Sequence, residues 1–240
     1  MDVVAVLLTY ERAELFLRTV ESFRDKSGDL PLLVFDDGST EPSKVAALVQ
    51  AECDSFTSVE RMPRRGLVDS WVGVLDTART ADVENLVLLE DDLVFATGWL
   101  DVLERMQGGV RDIGFKPGAM TCFRCHAEAQ SEIRDLRGVR AYQSMYHAFQ
   151  VNMIERAVLD RFDVVEEAAK KTKEQYPGFD IYFLGLLSHR LRRINFCSME
   201  SWVGHTGVGN SVTALGGKLS FAHRGYGLVQ ELQGELGQGG

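Results

Sequence analysis

The sequence is poor in cysteine, with four in 240 residues. So few in so long a chain exclude a disulfide-stapled scaffold. It also lacks any apolar run of membrane-spanning length, and its start, MDVVAVLLTYER, has neither a basic region nor a small-residue cleavage site. That start reads as a first strand rather than a signal peptide, and a cytoplasmic location is the expectation. Basic charge is in deficit, with 26 Lys and Arg against 35 Asp and Glu, a net charge of −9. This disfavours a nucleic-acid backbone or an anionic membrane as the main partner, while leaving a local basic patch, and hence nucleic acid, open. The turn after the first apolar run, Thr9-Tyr10-Glu11-Arg12, contains no glycine, and no Walker loop occurs anywhere. A dinucleotide-binding dehydrogenase and a P-loop ATPase are thereby set aside. There is no internal repeat.

What is present is a globular composition, 45% hydrophobic and 25% charged, in a chain long enough for a large core. Val3 to Tyr10 is a near-continuous apolar run, as in a central strand. Ala13, Phe16, Leu17, Val20 and Phe23 then recur at helical spacing. Pro31 to Phe35 reads as a second strand. A helix follows from Pro42, with Val45, Leu48 and Val49 as its buried stripe. Ser55 to Arg61 is a weaker third strand. Leu67, Trp71, Val74, Leu75 and Ala78 mark a third helix, and Leu86 to Leu89 a fourth strand. Alternation of this kind predicts an α/β fold with a mostly parallel sheet between helical layers.

Later segments are less regular. A helix capped by Thr97 is expected to end at Gly108 and Gly109, followed by strands at Ala119 to Phe123, Val139 to Gln143 and Ala148 to Met153. Helices at Glu155 to Phe162 and Glu166 to Gln175 lead to another that begins near Asp180 and carries Leu184, Leu187 and Leu191. Ile194 to Cys197 is a last strand. Gly216 to Gly240 holds eight glycines and reads as a mobile lid or disordered tail.

Three features bear on chemistry. The fourth strand ends in Glu90-Asp91-Asp92, and hard carboxylate ligands at the carboxyl edge of such a sheet suit Mg²⁺ or Mn²⁺ shared with substrate phosphates; an acidic turn is the alternative. The second strand also ends in acid, at Asp36-Asp37-Gly38-Ser39-Thr40. This superficially resembles the nucleophile loop of haloacid-dehalogenase phosphatases, but that loop needs its two aspartates separated by one residue. Cys122-Phe123-Arg124-Cys125-His126 fits the C-x-x-C-H spacing of haem attachment, and C-x-x-C also suits zinc or redox chemistry. With no export signal and no second C-x-x-C, a reduced structural pair is the favoured reading.

Taken in order, these segments resemble a GT-A glycosyltransferase, closest to the family 2 type of inverting nucleotide-sugar transferases. Thr9-Tyr10-Glu11-Arg12 resembles the donor-binding start, and Asp36-Asp37-Gly38-Ser39-Thr40 the segment whose aspartate holds the nucleobase or ribose. Glu90-Asp91-Asp92 is similar to the D-x-D motif in an E-D-D form. By this resemblance Asp92 contacts the metal, and Asp91 supports the ribose or the metal's waters, while Glu90 serves structure. Pro177-Gly178-Phe179-Asp180 followed by Leu187-Ser188-His189-Arg190-Leu191-Arg192-Arg193 is similar to the acidic residue and R-L-R helix of the acceptor half, where the aspartate is the general base. Asp180 could instead cap its helix. His205, in Trp202-Val203-Gly204-His205-Thr206-Gly207, stands where several GT-A enzymes bring a histidine to the metal, or is a loop histidine. Arg65 either approaches the donor or is solvated.

The implied fold is a GT-A, Rossmann-like three-layer α/β/α sandwich. Residues 1–215 form one catalytic domain, with a donor half at 1–95 and an acceptor half at 96–215, and residues 216–240 the tail. The implied activity is Mn²⁺- or Mg²⁺-dependent transfer from a nucleoside diphosphate sugar, UDP-linked by preference, to an acceptor hydroxyl with inversion. The acceptor is unknown. The Q-x-x-R-W signature and the membrane helices of processive synthases are missing, which points to single transfers. A nucleotidyltransferase of the same fold, a retaining transferase and a non-catalytic nucleotide-sugar binding module are the alternatives.

Overall fold

A computed structural model describes residues 2–123, 132–144, 150–174 and 178–206. The predicted alternation is realised as β1 (Val3–Thr9), α1 (Ala13–Ser27), β2 (Leu32–Asp37), α2 (Pro42–Glu52), β3 (Thr57–Met62), α3 (Leu67–Ala78) and β4 (Asn85–Leu89). Beyond it come β5 (Leu93–Phe95), α4 (Trp99–Asp112), β6 (Pro117–Thr121), β7 (Ile133–Leu136), β8 (Val139–Gln143) and β9 (Val151–Glu155). A 3₁₀ helix (Arg156–Arg161), α5 (Phe162–Glu174), α6 (Phe179–His189), β10 (Ile194–Ser198) and β11 (Val203–His205) complete the described chain. Among the described residues, no helix is long and apolar enough to cross a membrane.

Nine strands form one sheet in the order β3-β2-β1-β4-β9-β6-β10-β8-β7. Seven of the nine run the same way, with β9 and β8 opposed. The pleat of β1 divides the core between two faces. Val3, Ala5 and Leu7 pack with Phe16, Val20 and Phe23 of α1 and with Val102, Leu103 and Met106 of α4. Val4, Val6 and Leu8 face Trp71, Val74 and Leu75 of α3 and Phe183, Leu184 and Leu187 of α6. The result is the expected three-layer α/β/α sandwich.

Connections from β1 step to β2 and β3 on one side, and then cross back to β4 on the other side of β1. The carboxyl ends of β1 and β4 therefore flank a topological switch point, where open α/β sheets form a ligand crevice. Thr9 to Arg12 leave one strand there and Glu90 to Asp92 the other.

Three sequence expectations fail. Helix α4 does not stop at Gly108 and Gly109 but runs on to Asp112 with both glycines buried. A Cβ at Gly109 would stand 2.8 Å from Leu136 Cα and Cβ, and one at Gly108 closer still to the Arg137 guanidinium. The glycines thus let the β7–β8 hairpin lie against the helix, a packing requirement that looks like a stop signal in the sequence. On α2 the buried face is Lys44, Ala47, Leu48 and Ala51, whereas Val49 is 60% exposed. The expected Leu48 is buried and Val45 half-buried, but the stripe is completed by Lys44 rather than by Val49. Leu67, the first residue assigned to the stripe of α3, is 54% exposed.

Candidate active site

Strand β1 ends at Thr9, and the chain turns into α1 through Glu11 and Arg12, both left-handed at φ 49° and 50°. Consecutive non-glycine residues in this region are strained, and the surroundings must hold them. Glu11 does so on one side. Its carboxylate accepts the Thr40 N–H at 2.9 Å and the Glu41 N–H at 3.3 Å, at the start of α2, and its own N–H donates to Ser39 Oγ at 2.7 Å. Arg12 holds the other side: its guanidinium donates to Asp92 Oδ2 at 3.0 Å and to Asp91 Oδ1.

The acid end of β4 is fixed by the anchoring of the next strand. Leu93 N–H donates to Thr19 Oγ1 and Phe95 N–H to Ser22 Oγ, each at 2.8 Å, so two hydroxyls of α1 clamp one edge of β5. The other edge pairs antiparallel with β11, with His205 opposite Leu93. Thr206 closes the clasp, its N–H donating to the Asp92 carbonyl at 2.7 Å.

This pairing brings a potential ligand atom from each of Glu90, Asp92 and His205 within 4.8 Å of one another. His205 Nε2 lies 3.1 Å from Asp92 Oδ1 and 4.0 Å from Glu90 Oε2. Asp92 Oδ1 is buried and faces His205 Nε2 at a contact that falls short of ordinary hydrogen-bond geometry, which leaves the oxygen open to a cation. Two carboxylates and an imidazole fit a divalent first-row ion such as Mn²⁺. Burial and the adjacent Asp92 carboxylate push Glu90 up to about 8, although 31% of its side chain is accessible. The charge of Asp180, in the first turn of α6, adds to that rise. Burial opposes ionisation at both Asp92 and His205, but their mutual contact prevails, holding the carboxyl below its usual range and the imidazole above. A bound cation would take over this pairing from the imidazolium proton.

Asp91 points away from the three candidate ligands. It is buried, and its oxygens take the Arg12 guanidinium and the Thr9 hydroxyl, the latter at 2.5 Å. Burial raises its pKa, and Arg12 and then Lys44 counter the rise. Lys44, fully buried on α2, donates to Thr9 Oγ1.

The remaining sequence candidates gather in a second knot at the end of β2. Asp36 is buried and accepts from Ser39 N–H at 2.9 Å and from the Ser39 hydroxyl. Asp37 accepts from the Arg64 guanidinium at 2.9 Å, Arg65 N–H at 2.8 Å and Gly66 N–H at 3.1 Å, tying down the entry to α3. Arg64 also stacks on the ring of Tyr10, 3.3 Å from its centroid. Arg65 reaches this knot through its backbone, while its guanidinium lies over α3 beside Gly73.

The fold has a solved counterpart. It is similar to the crystal structure of GalNAc-T7 with UDP, GalNAc and Mn²⁺, at a TM-score of 0.57 and 14% identity, over 85% of this chain and 43% of that one. The chain thus spans less than half the length of that neighbour. No family model and no curated protein matches the sequence. The likeness shows a GT-A, Rossmann-like fold.

The structure brings together Thr9, Arg12, Asp91, Asp92 and His205, and puts Asp180 in the first turn of α6. It changes the role of Glu90 and adds Lys44, which the sequence did not single out. Glu90, assigned to structure alone, joins the ligand cluster. The signal was its place beside Asp92 in the run of three acids that follows β4. Lys44 could have been found by its i, i+3, i+4, i+7 relation to Ala47, Leu48 and Ala51. Of the C-x-x-C-H segment, Cys125 and His126 lie outside the described residues, as do the tail and Pro177. Cys122 is a buried thiol that burial pushes well above its usual range, and Cys197 Sγ contacts the Phe123 carbonyl. Arg190 pairs with Asp163 and Glu167, and Arg193 with Glu155, so much of the basic end of α6 is neutralised.

Proposed function

We propose that this chain is a glycosyltransferase that moves a sugar from a nucleoside diphosphate sugar, UDP-linked by preference, to an acceptor hydroxyl with inversion. The convergence of Glu90, Asp92 and His205 at the switch point carries the reading. A structural neighbour with UDP, GalNAc and Mn²⁺ supports it. Glu90, Asp92 and His205 would hold Mn²⁺ or Mg²⁺, and the ion would offset the charge that grows on the departing diphosphate. Arg12 keeps one oxygen of Asp92 engaged, leaving the other to the ion. Asp36 and Asp37 hold the loop that borders the nucleoside end of the crevice. Asp180 takes the proton from the acceptor hydroxyl as its oxygen attacks the anomeric carbon on the face opposite the diphosphate.

The test is a thermal-shift screen of UDP- and GDP-sugars with and without Mn²⁺, followed by turnover assays. Asp92→Ala is expected to abolish the metal-dependent shift. Asp180→Asn should keep donor binding and lose about 10²–10⁴-fold in kcat. A wild-type protein that shows no metal-dependent shift with any such donor, and an Asp92→Ala variant indistinguishable from it, would overturn the proposal. NMR of the product anomer tests inversion.

A further inference from the structure

Lys44 is the least expected residue near the site. It lies on the core face of α2 with Ala47, Leu48 and Ala51, is fully buried, and carries its ammonium 3.7 Å from the centroid of the Phe16 ring. Sequestering a lysine is costly, and an apolar residue of similar length would fill the space without that cost. The ammonium donates to Thr9 Oγ1, at the last residue of β1.

The direction of the bonds beyond Thr9 follows from donor chemistry. An ammonium only donates, so the Thr9 oxygen must accept, and its single proton is left for Asp91 Oδ2. The other Asp91 oxygen takes an N–H of Arg12, and a second Arg12 N–H goes to Asp92 Oδ2. Both oxygens of Asp91 are then committed, whereas Asp92 has one engaged and one, Oδ1, turned toward His205 and Glu90.

We infer that Lys44 is a positioning residue of the metal site: through Thr9, Asp91 and Arg12 it withdraws the middle of three consecutive acids from the ligand set and presents Asp92 Oδ1 to the ion. The inference rests on the reading of Glu90, Asp92 and His205 as metal ligands. It has a sign that simple electrostatics does not share. Removing a cation from a cluster of carboxylates would, by charge alone, tighten its hold on a divalent ion. If the bonded chain governs ligand geometry, removal weakens that hold, and changes behind metal ligands commonly cost about 10–100-fold in affinity.

The experiment titrates Mn²⁺ into the full-length, EDTA-treated protein and counts free ion by its electron paramagnetic resonance signal. Lys44→Met is expected to bind Mn²⁺ about tenfold more weakly than wild type. Thr9→Val, which cuts the chain one bond nearer the acids, should match it. Lys44→Gln, which keeps an N–H donor without the charge, should lose less. Circular dichroism and melting temperature establish which variants are folded; if Lys44→Met is not, Lys44→Gln and Thr9→Val carry the test. Folded variants that bind Mn²⁺ as tightly as wild type, or more tightly, overturn the inference and leave the proposed metal site standing. A wild type that binds no Mn²⁺ overturns both.

Discussion

Arg12 is the one guanidinium that bridges Asp91 and Asp92 among the described residues, and replacing it separates two contributions that the structure superimposes. Arg12→Ala removes the cation. Deleting one partner of a buried ion pair costs about 3–5 kcal/mol. Here 31% of the arginine side chain is accessible, and Asp91 keeps the Thr9 hydroxyl and the Lys44 charge. The loss therefore works out nearer about 2 kcal/mol. Backbone conformation enters separately: at φ 50° an L-residue carries about 1 kcal/mol of strain that glycine avoids. Arg12→Gly should accordingly be more stable than Arg12→Ala by about 1 kcal/mol.

The deficit also depends on pH. Without Arg12 the folded-state pKa of Asp91, already raised by burial, climbs further above its unfolded value. A carboxyl raised in this way penalises the fold where it is ionised, above its folded pKa, and the penalty fades as pH falls toward the unfolded pKa. Urea melts of metal-free wild type, Arg12→Ala and Arg12→Gly at pH 8 and pH 5 should show the larger deficit at pH 8 for both variants. An equal deficit at the two pH values would refute the charge assignment. Arg12→Gly falling below Arg12→Ala would refute the strain.

Two further predictions concern packing and the buried lysine. Gly109→Ala gains helix propensity but forces a Cβ to within 2.8 Å of Leu136 Cα and Cβ, and is expected to destabilise by about 2 kcal/mol; a raised Tm would contradict the packing account. For Lys44, lowered from 10.5 to about 8 by burial, the unfolded chain holds the proton more firmly than the folded one between those values. Wild-type stability relative to Lys44→Met should therefore climb by about 3 kcal/mol from pH 8 to 10.5, and a flat difference in denaturant midpoints would show that the ammonium is not buried.

The donor half was legible because its strands are covered on both faces and its helices on one. Val3–Thr9 and Leu86 to Leu89 read as unbroken apolar runs, and Phe16, Val20 and Phe23 as a stripe. The acidic strand ends followed from those boundaries. Lys44 was hidden because Val45 and Val49 drew the expected stripe of α2 away from it, although Ala47, Leu48 and Ala51 stand at helical spacing from it. Glycine misled at positions 108 and 109, since the residue that ends a helix is also the one that lets a hairpin approach it. Strand β7, with the pattern exposed, half-buried, exposed, buried, offers too little apolar character to be read locally. Tertiary placement made Glu90 a ligand candidate: only the pairing of β11 with β5 brings an imidazole to it.

That pairing has a consequence for the candidate cluster. Strand β11 stands outside the nine-stranded sheet, joined to β5 over three residues, yet it delivers the imidazole of the candidate cluster. Among the described residues the nine-stranded sheet takes its last strand in sequence from β10, whereas the candidate cluster takes its imidazole from residues 203–205. Changes confined to the three-residue β5–β11 pairing are therefore expected to displace the imidazole from the two acids while leaving the nine-stranded sheet paired.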